Sequence, residues 1–539
     1  MLAICRPGVK VPRVSMLWHH QAAVRCPGDN SQNLYRMKQY FAWRCTIATH
    51  MVTIAELMTS SGVGFGTSGA RGLVSDMTDT VCYAYTVGFL QYLENIHQLP
   101  GADPRIAIAG DLRPSTARIM RAVAQAVLDR GYQPVNCGMI PSPAVAFYGR
   151  QQQIPTLMIT GSHIPDDRNG IKFTTTAGEV LKADEAGIRA QTVAIPARFA
   201  SDGMLLVPGD LGSVDGAAHD AYFHRWLDAF PHAFLAGKRI GLYQHSAVGR
   251  DLLQDIYISL GAEVICLGRS DTFIPVDTEA IRQEDHELAA IWARQYRCDA
   301  LLSTDGDSDR PLIADETGKW MRGDVAGILC ARFCGADVVV TPVSCSTAVE
   351  RCAWFRDVRR TRIGSPYVIE ELTHAVRDGA QCAVGYEANG GFLTASPVHI
   401  GTRQLTPLPT RDAVLVHLAI LGLSIQNGKP ISQLLAELPQ RATASDRLQH
   451  FPTAISQPHL DGLLDGGHTA ISHFLPGLGE VVTVDTTDGL RIMFRCGEIV
   501  HLRPSGNAPE LRCYTEAATK VRANALLQQV MQQLETWRD

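Results

Sequence analysis

The chain has 539 residues, more than one hydrophobic core can organise, so three or four domains are expected. Hydrophobic residues make up 46% and charged residues 19%, and the formal net charge of -5 offers no basic field for nucleic acid. No apolar run is long enough to span a bilayer, which argues against a membrane protein.

The 14 cysteines contain no CxxC; Cys330 and Cys334 are the nearest pair, and others such as Cys266 and Cys382 sit inside apolar runs. That scatter fits buried, reduced thiols in a cytoplasmic protein better than a disulfide framework. Residues 1–50 carry seven Lys or Arg against the single acid Asp29, with no sustained periodicity. An arginine-rich, acid-poor leader can be a transit peptide, and the lack of an apolar stretch argues against a secretory signal. We read it as an extension, expected to be poorly ordered, with the working chain beginning near Met51 or Met58.

From Gly64 the chain runs Gly64-Phe65-Gly66-Thr67-Ser68-Gly69-Ala70-Arg71-Gly72. Glycines there let the backbone approach an anion, to which Thr67, Ser68 and Arg71 can donate. A helix is predicted over Thr78 to Gln98, then a strand over Ile106 to Ala109. Gly110-Asp111-Leu112-Arg113-Pro114-Ser115-Thr116 follows, and Ser115 or Thr116 is expected to cap a helix reaching about Arg130. A strand near Val135, a Pro-rich turn and a short helix lead to an apolar run from Pro155 to Ile159. That run ends in Thr160-Gly161-Ser162-His163-Ile164-Pro165, with Asn169-Gly170-Ile171-Lys172 behind it. A hydroxyl at the end of a buried strand occupies the place where α/β folds build sites. A serine that carries a phosphoryl group needs cations and a metal nearby.

A second cycle predicts strands at Arg239 to Tyr243, Glu263 to Leu267 and Ala300 to Ser303, with helices at Arg250 to Leu260 and Glu279 to Tyr296. The last strand runs into Thr304-Asp305-Gly306-Asp307-Ser308-Asp309-Arg310. Three carboxylates at alternate positions suit a hard cation such as Mg²⁺ and would repel one another without it. The strand that follows, Pro311 to Ala314, and the absence of a helix before the loop argue against an EF-hand. A third cycle has helices over Asp324 to Cys334, Val368 to Val376 and about Asp412 to Leu423, and strands over Asp337 to Val343 and Gln381 to Val384. It carries Gly385-Tyr386-Glu387-Ala388-Asn389-Gly390-Gly391-Phe392, whose Glu and Asn suit paired sugar hydroxyls. Residues 427 to 445 read as a linker or short helix.

The texture then changes. Short alternating strands (Val481 to Val484, Leu490 to Phe494, Ile499 to Leu502) lead to Arg503-Pro504-Ser505-Gly506-Asn507-Ala508-Pro509-Glu510-Leu511-Arg512, a phosphate cradle of two arginines and turn amides. A terminal amphipathic helix carries Val521, Leu526, Val530 and Leu534.

Five loops in this order resemble the α-D-phosphohexomutase superfamily over the chain from about Gly64 to the end. The resemblance implies three similar mixed α/β domains plus a C-terminal helix-plus-antiparallel-sheet (TBP-like) domain around a central cleft. The expected divisions are 51–205, 206–310, 311–426 and 427–539, with 1–50 outside. It further implies that Ser162 is the phosphorylated serine and that Asp305, Asp307 and Asp309, with the phosphoserine, hold one Mg²⁺. Arg71, His163, Lys172 and Arg310 correspond to residues around the moving phosphoryl group, with Lys172 and Arg71 as candidates for proton handling. Glu387, with Asn389, corresponds to the sugar loop; Arg503, Ser505, Gly506, Asn507 and Arg512 correspond to the site of the other phosphate.

The sequence departs from the usual pattern at Ile164 (usually Asn), at Asn389 and Gly391 (usually Ser and His), and at Asn507-Ala508 (usually Thr-Glu). The variant sugar loop is most like the bacterial phosphomannomutase branch. The implied activity interconverts mannose 6-phosphate and mannose 1-phosphate through a 1,6-bisphosphate, with hexose 1,6-bisphosphate as activator. The alternatives are a phosphoglucomutase or dual-specificity enzyme and, from another class, a metal-dependent phosphatase. The expected partner is a small phosphosugar, and the expected state is a monomer or homodimer.

Overall fold

The computed structural model describes residues 48–66, 69–99, 103–506 and 509–538. Thr67, Ser68, Asn507 and most of the basic leader, residues 1–47, lie outside them.

The elements begin where local chemistry starts them. Thr53 and Glu56 form a capping box for the helix Ile54–Ser61, which Gly62 closes at φ 73°. Thr78 accepts from the Val81 amide to start Asp79–Asn95. Ser115 and Thr116 do not cap the next helix, Thr116–Asp129. Instead the Thr116 hydroxyl donates to Asp111 Oδ1 (2.7 Å) and Ser115 Oγ accepts from Asn169 Nδ2 (2.8 Å), because a buried polar network beneath the site claims both.

Three sheets share one topology. In the first, Gln133–Met139, Arg105–Gly110 and Thr156–Ile159 lie parallel in that order and Arg168–Thr174 returns antiparallel. Gly64–Phe65 and Gly69–Leu73 extend its edge. In the second, Glu263–Leu267, Arg239–Tyr243 and Ala300–Thr304 are followed by the antiparallel Pro311–Ala314. In the third, Asp357–Thr361, Val338–Pro342 and Ala383–Tyr386 are followed by the antiparallel Phe392–Thr394. Each time the third strand is buried along its whole length, as parallel strands covered on both faces must be. Each time the loop between the third strand and its return carries a predicted site motif: Ser162, the three aspartates, and Glu387.

Pro311–Ala314 pairs with Ala300–Thr304 and completes the second sheet. Ile431, Leu434 and Leu438 pack into the same core as Val384, Val414 and Leu418. The last sheet, all antiparallel, starts with Ala442–Gln449 and runs on through Glu510–Ala517, Ile499–Pro504, Leu490–Phe494 and Val481–Asp485. Its apolar face (Ile492, Leu502, Leu511) joins Leu526, Val530 and Leu534 of the helix Lys520–Glu535 in one core. Its other face carries Arg491, His501, Arg503, Arg512 and Tyr514. Among the described residues no helix is long and apolar enough to cross a membrane.

Candidate active site

Ser162 sits at the end of Thr156–Ile159 in the left-handed region, at φ 56°. That conformation is uncommon for a side-chain-bearing residue and persists only where its surroundings impose it. Here they do. Thr160 Oγ1 accepts from the Ser162 amide (2.7 Å) and donates to Asp111 Oδ2 (2.7 Å). Arg113, fully buried, ion-pairs with Asp111 and donates to the carbonyl oxygens of Ser162, Ile164, Pro165 and Arg168. Phe273 covers the Arg113 guanidinium at 4.1 Å. A Cβ on Gly161 would stand 2.6 Å from Arg113 Cζ, so glycine is required there.

The aspartate loop packs directly against this one. A Cβ on Gly306 would lie 2.6 Å from the Ser162 carbonyl oxygen. Ser162 Oγ donates to Asp305 Oδ2 at 2.6 Å and lies 3.4 Å from His163 Nδ1. Asp305, Asp307 and Asp309 are all buried, and one carboxylate oxygen of each lies within 4.8 Å of the others. Asp307 is set by Ser142, whose amide and hydroxyl both donate to it, the hydroxyl at 2.5 Å. Lys172, from the return strand, donates to Asp307 Oδ2 (2.5 Å) and Asp309 Oδ2 (2.7 Å). Arg310 Nε lies 3.9 Å from Asp305 and 3.8 Å from Asp309.

The electrostatics follow from burial. Burial, then repulsion from Asp307 and Asp309, pushes the Asp305 carboxyl well above the usual carboxylate range. Burial works against the Asp307 carboxylate too, but Lys172 outweighs it and holds that group low. The Lys172 ammonium is raised in turn, because the two aspartates overcome its burial. Burial and the cations Arg310 and Arg71 push His163 down to about 2, so its ring is neutral. Burial and Arg310 bring Arg71 down to about 10. Asp307 Oδ1 and Asp309 Oδ1 are buried and accept no hydrogen bond within the protein. Orphaned carboxylate oxygens in a three-aspartate cluster fit a hard divalent cation such as Mg²⁺.

Glu387, the acid predicted for the sugar loop, is drawn into the same constellation. Glu387 Oε2 accepts from Arg411 Nε at 2.6 Å, and Arg411 Nη1 stands 3.6 Å from Asp309 Oδ2. Asn389 turns inward instead: its Oδ1 accepts from the Gly391 amide (2.9 Å), which shapes the loop. Gly69 and Gly72 likewise serve packing, since a Cβ on either would strike the neighbouring strand or Val63. Arg71 comes into the site from that edge, opposite Gly170.

The phosphate-loop arginines stand on the last sheet. Arg503 pairs with Asp488 and Arg512 with Glu510, and the ladder sets Arg447, Arg512 and Arg503 side by side on three strands. Like charges in register oppose folding unless an anion meets them. Ser505 is buried and hydrogen-bonds through its amide to the Glu510 carbonyl, and Gly506 is open to space around its Cα. A cleft of about 400 Å³ runs from His163 past Arg322 and Arg491 to Arg512. Arg411, Arg113 and Ser142 were not foreseen as site residues. Only the Asp111-x-Arg113 spacing after a strand carried any local signal, and Arg411 had none because its partners are remote in sequence.

A buried hydroxyl against three carboxylates, ringed by cations, suits the passing of a phosphoryl group with a divalent metal present. Residues 62–198, 322–442 and 444–533 match the phosphoglucomutase/phosphomannomutase alpha/beta/alpha domain I, alpha/beta/alpha domain III and C-terminal domain. A phosphomannomutase of Salmonella muenchen is 42% identical, over 89% of this chain and 97% of its own length. One from Sinorhizobium fredii is 41% identical, over 87% and 98%. The fold matches a crystal structure of a phosphoglucomutase/phosphomannomutase family protein from Burkholderia thailandensis (TM-score 0.67, 19% identity, 88% of this chain and 97% of that one). The chain belongs to the phosphoglucomutase/phosphomannomutase family, whose members are phosphohexomutases, a class of isomerase.

Proposed function

We propose that this protein is a phosphomannomutase, exchanging phosphate between O6 and O1 of mannose through phospho-Ser162. The observation that carries the reading is Ser162 Oγ at 2.6 Å from Asp305 within the buried aspartate cluster. The sugar follows from the two relatives above 40% identity, both phosphomannomutases.

In the proposed reaction a sugar hydroxyl attacks the phosphorus of phospho-Ser162. The Oγ–P bond breaks as the sugar O–P bond forms, which yields mannose 1,6-bisphosphate. The departing Ser162 Oγ takes a proton from the Lys172 ammonium or the Arg71 guanidinium, the candidates for proton handling, and the proton released by the sugar hydroxyl restores it. After the bisphosphate turns end for end, Ser162 takes the other phosphoryl group. Hexose 1,6-bisphosphate added from outside would phosphorylate Ser162 by the same route and so act as activator.

Asp305, Asp307, Asp309 and the phosphoserine would hold Mg²⁺, which when bound supplies charge neutralisation to the transferring oxygens. Arg310 and His163 flank that position, Glu387 grips hydroxyls, and Arg503, Ser505, Gly506, Asn507 and Arg512 hold the spare phosphate. The reading is tested by a coupled assay with Mg²⁺ and a trace of hexose 1,6-bisphosphate, comparing kcat/KM for mannose 1-phosphate and glucose 1-phosphate. A mannose preference is expected; equal or glucose-favouring values overturn the choice of sugar.

A further inference from the structure

Arg411 has no place in the reading above, yet it lies where the site's loops meet. Its side chain is 3% exposed, donates from Nε to Glu387 (2.6 Å) and reaches Asp309 with Nη1 (3.6 Å). One guanidinium therefore links the sugar loop of the third sheet to the aspartate loop of the second. The backbone around it is anchored from three directions. Thr410 Oγ1 donates to Glu179 of the first domain. Asp412 accepts from the Tyr222 hydroxyl (2.6 Å) and ion-pairs with Arg225. The Asp412 amide donates to the Phe392 carbonyl, on the return strand behind Glu387.

The sugar loop is also cut to admit this side chain. A Cβ on Gly391 would stand 2.4 Å from Arg411 Cδ and 2.8 Å from Cγ. Gly391 has no positive φ to explain it, so close approach is the reason glycine stands there.

We propose that Arg411 is a positioning residue of the reaction centre, which fixes the sugar-gripping carboxylate of Glu387 relative to the aspartate loop, and that Gly391 exists to make room for it. The guanidinium suits this because its planar fork holds its donors in a fixed geometry, so that Nε grips Glu387 while Nη1 faces Asp309. The inference rests on the proposed mutase reading.

The test compares Arg411→Lys, Arg411→Ala, Gly391→Ala and the double variant Arg411→Ala/Gly391→Ala in the Mg²⁺-supplemented turnover assay, with thermal midpoints measured alongside. Arg411→Lys and Gly391→Ala should each lower kcat/KM for mannose 1-phosphate by about 100-fold, the scale of a misplaced reacting group. Each should also compress the mannose-over-glucose ratio, which general loosening of the fold would leave alone. In the double variant the added methyl should cost nothing beyond Arg411→Ala, because the side chain it displaces is already gone. If Arg411→Ala does not fold, the comparison of Arg411→Lys with Gly391→Ala decides. Parental kcat/KM in either of those, or losses that multiply in the double variant, overturn the proposal. Absence of turnover in the parent would instead overturn the mutase reading.

Discussion

At the scale of single residues, the site depends on contacts too close to admit one more atom. Gly306 abuts the Ser162 carbonyl oxygen, so a methyl there must push the serine and aspartate loops apart. Gly306→Ala is expected to lower kcat by about 100-fold, since a shift of roughly 1 Å between reacting groups costs that much. Steady-state kinetics checks this, with circular dichroism to confirm the fold. Asp307→Asn removes a charge from the cluster and a partner from Lys172. It should weaken Mg²⁺ binding by at least about 10-fold, read by titration calorimetry, because hard cations select charged oxygen ligands. The motifs that hold Ser162 and the three aspartates were readable because each is local and ends a strand, and the structure brings them together. Arg411 was not, because it acts across more than twenty residues on Glu387 and across about a hundred on Asp309.

At the scale of elements, the repeated strand order explains why three unrelated-looking motifs converge. Each loop joins a buried third strand to an antiparallel return, so each sheet offers its site residues from the same end. Arg113 shows how such a loop is held: one side chain donates to four carbonyl oxygens of the turn. Arg113→Lys, with fewer donors and no planar fork, should let Ser162 leave its left-handed conformation. The expected result is a loss in kcat of at least about 10-fold with little change in KM, since the loop and not the sugar contacts is disturbed. The cycles of strand and helix were readable from apolar runs, and Glu263–Leu267 and Leu490–Phe494 fall where those runs predicted. Asp357–Thr361 and Ala442–Gln449 were not readable. They are edge strands with few apolar residues (Asp-Val-Arg-Arg-Thr in the first), and pairing with a neighbour, not composition, makes them strands.

At the scale of the whole molecule, Thr49–Asp539 is one compact unit, and its buried polar groups tie the domains to one another. Glu516, on the last sheet, accepts from the Thr347 amide and hydroxyl of the third domain and from Arg441. His417 joins Tyr257 (2.7 Å) to the Leu312 carbonyl, and burial pushes its ring down from 6.5 to about 4. A histidine whose pKa is depressed on folding binds fewer protons folded than unfolded. Its stabilising share is therefore complete above about 6.5 and is lost as pH falls toward 4. A His417→Gln variant lacks this dependence. The stability gap between parent and variant should shrink by about 1.4 kcal/mol per pH unit below 6.5, measured by urea unfolding. A gap that does not change with pH would mean that the ring is not neutral in the fold.

In the proposed reaction Ser162 carries the phosphoryl group between sugar positions. This is tested most directly by loading the Mg²⁺-supplemented protein with hexose 1,6-bisphosphate labelled in its phosphate, then chasing with unlabelled mannose 1-phosphate. Label is expected on Ser162 alone, none in Ser162→Ala, and on the chase it should pass completely into mannose 1,6-bisphosphate and mannose 6-phosphate. Label released as inorganic phosphate, or label on another residue with Ser162→Ala still turning over, would contradict it.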